Sequence, residues 1–246
     1  MLIRKLSQLV SLSSDEITLL EEMRSRKQFV RRHREVISQG RAYEALFVLN
    51  EGFAIRSRVL RSGDRQILGV IIPGDFIGFP ACFFERALYS VQAITDLVVS
   101  PITYASIASL FENHPRVAAK IFWSFACEAG IYVEHLVSLG QRSAIERVAH
   151  FLLELHARLR IIGLADEKSY AMPLTQEQIG DALGLTVQHI NRTLRRLREE
   201  NLAIFENHRV TITDIEALSA LAEFENPNVN CFRIPGFLSR RRHSRV

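Results

Sequence analysis

Residues 174–212, LTQEQIGDALGLTVQHINRTLRRLREENLAIFENHRVTI, decide the fold of this chain. Thr175 followed three residues later by Gln178 predicts a capping box, in which a hydroxyl and an amide satisfy backbone N–H groups where a helix starts. Gly184 permits a left-handed turn at the end of that helix, and Thr186 is a favourable N-cap for a second helix. These residues together predict a helix-turn-helix.

The second predicted helix has an apolar face and a polar face. Ile190, Leu194 and Leu197 recur at helical spacing, so we expect them to face the core. Arginine can bond guanine O6 and N7 together, and glutamine can do the same with adenine. We therefore predict that the outward residues read bases: Val187, Gln188, Asn191 and Arg192.

The residues around this helix are predicted to contact the DNA backbone. Segment 202–212, broken at 206–208, predicts a two-stranded wing. Phosphate contacts fix the register of a protein on DNA without reading its sequence. The predicted backbone contacts are Thr175, Gln176, Thr186, Arg195, His208 and Arg209.

Upstream of this motif the sequence changes to short strands and one long helix. Between residues 36 and 103, β-branched and aromatic runs alternate with glycine turns, which predicts a β-roll of the jelly-roll type. The strand-sized runs are 45–49, 53–59, 66–72 and 91–99. From Pro115 a long proline-free stretch has apolar residues at helical spacing and predicts a long helix.

This helix carries two apolar seams, which indicates burial from two sides. The first seam is Ala118, Ile121, Phe125, Tyr132 and Leu139; the second is Phe122, Ala126, Ala129, Val133 and Leu136. We expect one seam to pack on its own β-roll and the other on a second subunit. The predicted dimer interface is Ile121, Phe125, Tyr132 and Leu139. The alternative is a core helix of a single domain.

Length and composition favour an α+β chain with two folded domains. The chain has 246 residues, of which 48% are hydrophobic, and a net charge of +4. Cores larger than about 150 residues tend to split. We predict a β-roll sensor domain at 1–114, a dimerisation helix at 115–140, a winged helix-turn-helix domain at 141–224 and a basic tail at 225–246. The sequence shows no signal peptide and no membrane-spanning run, which predicts a soluble cytoplasmic protein with no membrane partner.

Metal, haem and catalytic sites are not predicted. The three cysteines are far apart: Cys82, Cys127 and Cys231. They form no metal-ligand pair, and an iron–sulfur cluster needs about four cysteine ligands. Isolated histidines that could ligate haem are more often hydrogen-bonded or solvated: His33, His114 and His135. No nucleophile, acid–base or phosphate-loop constellation is present, so no enzyme is predicted.

At these residues the chain resembles the Crp/Fnr superfamily of bacterial transcription regulators. Segment 35–57, EVISQGRAYEALFVLNEGFAIRS, looks like the entry to the family's barrel, and 73–79, PGDFIGF, looks like the start of its nucleotide cassette. The four base-reading positions are most similar to the fumarate-nitrate and nitrogen-fixation regulator branch, although Gln188 and Asn191 replace its Glu and Ser. The resemblance implies a homodimer on palindromic double-stranded DNA, and RNA polymerase as a partner if the protein is an activator.

The nucleotide cassette departs from members of the family that bind cyclic AMP. Those members carry a glutamate for the ribose and an Arg-Ser pair for the phosphate, where this chain has Phe79 and the pair Ala87-Leu88. The phosphate would lack its charge-assisted partner. Arg86 is one residue away, on the other face of a strand. The adenine-contacting hydroxyl pair is replaced by Tyr132 and Val133.

We therefore predict a sequence-specific, homodimeric DNA-binding regulator that is independent of cyclic AMP. The alternative is a regulator gated by a cyclic nucleotide or another small molecule in the β-roll. The candidate effector pocket consists of Phe79, Cys82, Phe83, Arg86 and Leu88, and a filled barrel is the competing interpretation. Cys82 is either an oxidant sensor or an inert buried thiol.

Overall fold

The computed structural model describes residues 1–9, 11–43, 45–79 and 84–225. Two helices come first, α1 (Leu2–Leu9) and α2 (Ser14–Met23). Leu2, Leu6 and Leu20 are fully buried against the domain that follows. Apart from Glu225, the predicted basic tail lies outside the described residues. No described helix is long and apolar enough to cross a membrane.

The N-terminal domain is a β-roll made of two antiparallel sheets, as predicted. The first sheet has the order β1 (Gln28–Val30), β8 (Leu97–Thr103), β3 (Ala45–Glu51) and β6 (Phe76–Ile77). The second has the order β2 (Glu35–Ile37), β7 (Ser90–Ala93), β4 (Ala54–Val59) and β5 (Arg65–Ile71). Leu49, Val91 and Leu97 are fully buried between the sheets.

Two details of the predicted roll are corrected. The run 91–99 is not one strand, because a turn at 94–96 divides it into β7 and β8; the Thr95 hydroxyl accepts a hydrogen bond there from the Phe53 N–H at 2.9 Å. A helix that was not predicted, α3 (Tyr104–Asn113), closes the roll behind the N-cap Thr103. Strands β1, β2 and β6 have two or three residues each, too few to show a periodic pattern.

The long helix α4 spans Pro115–Gln141, and the seam that was predicted to form the dimer interface packs on its own chain instead. Ile121 is buried in the core of its own subunit, and the Phe125 ring stacks on Phe79 with 3.8 Å between centroids. Tyr132 is half-buried, with its ring near the Arg56 guanidinium of the roll.

Leu139, the fourth residue assigned to the interface, is also half-buried and lies beside the C-terminal domain, where a Cβ on Gly184 would be 3.4 Å from Leu139 Cδ2. The first seam as a whole therefore faces its own subunit.

The second seam of α4 is the exposed one. Phe122, Val133 and Leu136 are 63%, 58% and 70% exposed. Ala126 and Ala129 are exposed between them. The alternating spacing of four and three residues is the repeat by which two helices pack together lengthwise. This group of five residues is called the α4 stripe below.

The C-terminal domain packs around α5 (Ala144–Ile162). Its other elements are β9 (Ser169–Ala171), α6 (Gln176–Leu183), α7 (Val187–Glu199), β10 (Ala203–Glu206), β11 (Arg209–Ile212) and α8 (Ile215–Ala222). Strand β9 adds to the wing in the order β10-β11-β9. Tyr170 fixes it there, because its buried hydroxyl donates to the Leu152 carbonyl at 2.8 Å.

Candidate nucleic-acid interface

The turn between α6 and α7 is built by the predicted capping residues. The Thr175 N–H donates to Gln178 Oε1 at 2.9 Å, and the Gln178 N–H donates to the Thr175 hydroxyl at 3.1 Å. Gly184 ends α6 with a φ of 63°, in the left-handed region. The Thr186 hydroxyl accepts the His189 N–H at 3.3 Å and begins α7. The helix-turn-helix prediction is confirmed.

Gly180 sets how closely the chain after the turn approaches α6. A Cβ at this position would lie 2.5 Å from the Leu185 carbonyl oxygen, a distance that backbone atoms do not tolerate. The sequence interpretation missed this residue. Its signal was a glycine inside a helix, which costs about 1 kcal/mol relative to alanine and therefore indicates a packing reason.

The outer face of α7 exposes all four predicted base-reading residues: Val187, Gln188, Asn191 and Arg192. Ile190 and Leu197 are fully buried and anchor the inner face. Leu194 is only half-buried, and Thr193 takes the remaining buried position. His189, which was not predicted, is exposed beside Gln188.

The arginines of α7 differ in whether they are paired. Arg196 bonds Glu200 at 2.6 Å and Arg198 bonds Glu206 at 2.7 Å. Arg192 makes no ion pair with any residue that the structure describes. Its five N–H donors are therefore available for an external acceptor.

The predicted backbone contacts surround this face. Thr175, Thr186, Arg195, His208 and Arg209 are exposed, and Gln176 is half-buried. The wing turns at Asn207 and His208, whose φ values of 51° and 56° give the two-residue hairpin turn that matches strand twist. The Arg209 guanidinium donates to Asp166 at 2.9 Å and to Ser169 at 2.6 Å, which holds it on the wing sheet.

A buried ionic network joins the roll, α4 and α5. Arg158 on α5 donates to Glu154 at 3.0 Å and to Asp75 of the roll at 2.8 Å, and Asp75 also pairs with Lys5 at 2.6 Å. His135 on α4 bonds Glu154 at 2.5 Å. Burial alone would raise the pKa of Glu154, but His135 and Arg158 lower it to about 2. This network fixes the DNA-binding domain against α4.

His150 on α5 is buried without a charge, in contrast to the ionised groups of this network. It is buried next to Glu134 of α4, with 3.4 Å between Nε2 and Oε2. Burial, together with the charge of Arg142, lowers its pKa to about 4. The folded protein therefore holds His150 neutral at neutral pH.

Of the five residues of the candidate effector pocket, the structure describes three. Arg86 and Leu88 are exposed on the surface of the roll, whereas Phe79 is half-buried against Phe125. Cys82 and Phe83 lie outside the described residues. An apolar cavity of about 70 Å³ does lie beside Phe79. Its lining includes Phe76, Ile102, Leu110, Ile121 and Phe125.

Two regions of the sequence match known domain families. Residues 27–114 match the cyclic nucleotide-binding domain, and residues 146–221 match the Crp-like helix-turn-helix domain. The chain is 30% identical over 188 residues to the transcriptional activatory protein AadR of Rhodopseudomonas palustris, covering 76% of this chain and 77% of that protein. The chain belongs to the Crp/Fnr superfamily. It is therefore a DNA-binding transcription regulator.

Further Crp/Fnr relatives support this assignment. The fumarate and nitrate reduction regulatory protein of Yersinia pestis is 26% identical over 219 residues, or 89% of this chain and 87% of that protein. The solved structure of FixK2 from Bradyrhizobium japonicum superimposes with a TM-score of 0.72 at 27% identity, covering 80% of this chain and 96% of that one.

Within this Crp/Fnr fold, the cassette positions at Phe79 and at the Ala87-Leu88 pair carry no ionic or hydrogen-bonding side chain. Ala87 places a methyl group in the roll interior and Leu88 points to solvent, so neither can bind a phosphate. The Phe79 ring, at the ribose position, stacks on Phe125 and offers no hydrogen-bond acceptor. Elsewhere, burial raises the pKa of the Cys127 thiol to about 11, which makes it unreactive.

Proposed function

We propose that this Crp/Fnr regulator binds a palindromic DNA site as a homodimer without cyclic AMP, haem or an iron–sulfur cluster, and that it carries no catalytic activity. The observation that carries the proposal is the outer face of α7. Its four exposed residues project from a helix that is capped at Thr186 and anchored by Ile190 and Leu197. A helix presented in this way fits the major groove.

The homodimer is proposed to form through the α4 stripe. Exposed apolar residues at heptad spacing along several turns are covered when a second copy of the helix packs lengthwise. A two-fold axis between the paired α4 helices then relates two copies of α7. Their half-sites are expected to be about one helical turn, or roughly 34 Å, apart.

Three of the four base-reading residues of α7 have an expected base. Arg192 reads a guanine through O6 and N7 in a half-site that resembles TTG. Val187 offers apolar contact to a thymine methyl group. Gln188 favours an adenine at the inner position, where a glutamate would accept from a cytosine amine, and Asn191 lies beside it on the same face.

A role in activation is the expected regulatory outcome. One of the relatives named above is a transcriptional activatory protein. We propose that this chain, acting in the cytoplasm where the DNA lies, also contacts RNA polymerase. In vitro transcription from a promoter that carries the selected site tests this, and a fall in transcript on adding the protein would identify a repressor.

Gel-shift titrations test independence from cyclic AMP. Purified full-length protein is titrated against its operator and a scrambled sequence, with and without an excess of cyclic AMP. We expect preferential operator binding in both series with the same midpoint. Operator binding that occurs only with cyclic AMP would contradict the proposal.

A further inference from the structure

Arg56 is a charged residue in the interior of the β-roll. It lies on β4, where its cross-strand partner on β7 is Val91, a fully buried residue of the roll core. Directly paired residues project from the same face of a sheet, so the guanidinium enters the interior. Only 4% of the residue is exposed. A buried guanidinium is costly unless all of its donors are bonded.

One edge of this guanidinium is bonded and the other is not. Nη1 donates to Glu128 Oε1 on α4 at 2.8 Å. Nε and Nη2 are both buried and have no hydrogen-bond partner in the part of the chain that the structure describes. These two nitrogens lie on the same edge of the planar group, which is the arrangement that binds two oxygens of one carboxylate or phosphate.

The surroundings hold Arg56 in place without satisfying that edge. Its Cζ lies 5.0 Å from the centroid of the Tyr89 ring and 5.7 Å from that of Tyr132. On the other side, β5 contributes Gly69, which has no side chain, and a Cβ there would meet only Tyr132 Cε1, at 3.8 Å. The register of β4 with β5 shifts directly after Arg56, and such bulges redirect side chains.

We propose that the Nε and Nη2 edge of Arg56 is the binding site for a small oxyanion, a carboxylate or a phosphate, in the roll of this regulator. The site uses none of the residues of the predicted effector pocket, although it adjoins them through Tyr89, whose hydroxyl donates to the Phe79 carbonyl at 2.9 Å. The proposal goes beyond DNA recognition and does not depend on it. Because Nη1 bonds Glu128 on α4, the ligand binds at the junction of the roll with the dimerisation helix.

Binding of two probe anions to the full-length protein tests the proposal. Inorganic phosphate and succinate are titrated calorimetrically at constant ionic strength, with chloride as the balancing anion, so that general salt effects cancel. We expect saturable binding of at least one probe, and the two titrations distinguish a phosphate site from a carboxylate site. Arg56→Met removes both donors and is expected to weaken binding about tenfold or more.

Two further variants separate a ligand site from a structural ion pair. Arg58→Met removes the same charge from an exposed position on the same strand and is expected to leave binding unchanged. Glu128→Gln removes the competing carboxylate beside the guanidinium and is expected to tighten binding. If Arg56→Met does not fold, the tighter anion binding expected in Glu128→Gln tests the proposal in its place.

Two results would overturn the proposal. The first is undiminished binding in Arg56→Met. The second is the absence of saturable binding to both wild type and Glu128→Gln. In that case, loss of the dimer in Arg56→Met would mean that a second subunit supplies the acceptor for the Nε and Nη2 edge. Neither result bears on operator binding, which the gel shift measures separately.

Discussion

Helices α4 and α7 each bury one face and expose the other, but the exposed faces differ in chemistry. The α4 stripe is wholly apolar, from Phe122 to Leu136. The outer face of α7 is polar apart from Val187 at its start, and Arg192 has no ion-pair partner among the described residues. The first face gains free energy by excluding water, and the second gains specificity from directed hydrogen bonds.

This difference assigns a separate partner to each face. An apolar stripe of heptad spacing is complementary to another copy of itself, whereas N–H donors and amides at a helix start are complementary to base edges. Helix α5 connects the two, since its His150 and Glu154 contact α4 while its apolar face contacts the helix-turn-helix core. Variants on each face should therefore affect one property and spare the other.

The largest effect is expected on the α4 stripe. Leu136→Glu places a charge in the proposed dimer interface, where an uncompensated buried charge costs about 3–5 kcal/mol. Light scattering should show the 28.1 kDa monomer in place of a dimer. Leu60→Glu, at an exposed leucine in the β4–β5 turn, is the matched control and should remain dimeric. An unchanged dimer in Leu136→Glu would exclude the stripe as the interface.

The next largest effect is expected on the pH dependence of stability, through His150 on α5. The folded pKa of His150 is about 4, below the ordinary value of 6.5. As pH falls from 6.5 to 4, His150 binds a proton in the unfolded chain but not in the folded chain. His150 should therefore lower the free energy of unfolding as pH falls, by roughly 3 kcal/mol at most.

Urea unfolding at pH 7.5, 6 and 5 measures this slope. His150→Gln should flatten it, while His189→Gln, which removes an exposed histidine of α7, should retain it. Equal slopes in wild type and His150→Gln would refute the assignment.

A smaller effect is expected on the outer face of α7. Arg192→Ala should cost about 1–3 kcal/mol of operator binding and relax the preference for guanine, without changing the dimer. Arg209→Ala should weaken operator and scrambled DNA alike and reduce the salt slope by about one. Competition gel shifts compare the two variants on operator and scrambled DNA. Equal loss on both DNAs in Arg192→Ala would make that residue a phosphate contact.

The DNA-binding domain could be predicted closely because its signals are local. The caps at Thr175 and Thr186 and the turn at Gly184 depend on residues a few positions apart, and the hydrogen bonds they form are those that the sequence indicates. The contact of Gly180 with Leu185 was missed because it depends on how closely two elements pack.

The roll and α4 were harder to predict, because the residues that contact each other there are distant in sequence. Both seams of α4 are apolar, and contacts with residues distant in sequence, such as that of Phe125 with Phe79, determine which one is covered. Arg56 could not be recognised at all, since its partner Glu128 is 72 residues away on another element. In the same way, the exposure of Arg86 and Leu88 follows from the turn before β7 and not from their residue types.

The smallest effect is expected at the start of α6. Thr175→Ala removes the hydroxyl that accepts the Gln178 N–H and should destabilise the C-terminal domain by about 1 kcal/mol. Thermal unfolding measures the loss, and the dimer should be unaffected. A loss of dimer in this variant would show that the two helical faces are not independent.

Selection of bound sequences from a random pool of double-stranded DNA, by the full-length protein with no added ligand, measures whether a dimer reads a palindrome through α7 without an effector. We predict an enriched palindrome with a guanine in each TTG-like half-site and half-site centres about one helical turn apart. Enrichment of a single asymmetric site, or no enrichment without a ligand, would contradict a dimer that reads DNA through α7 on its own.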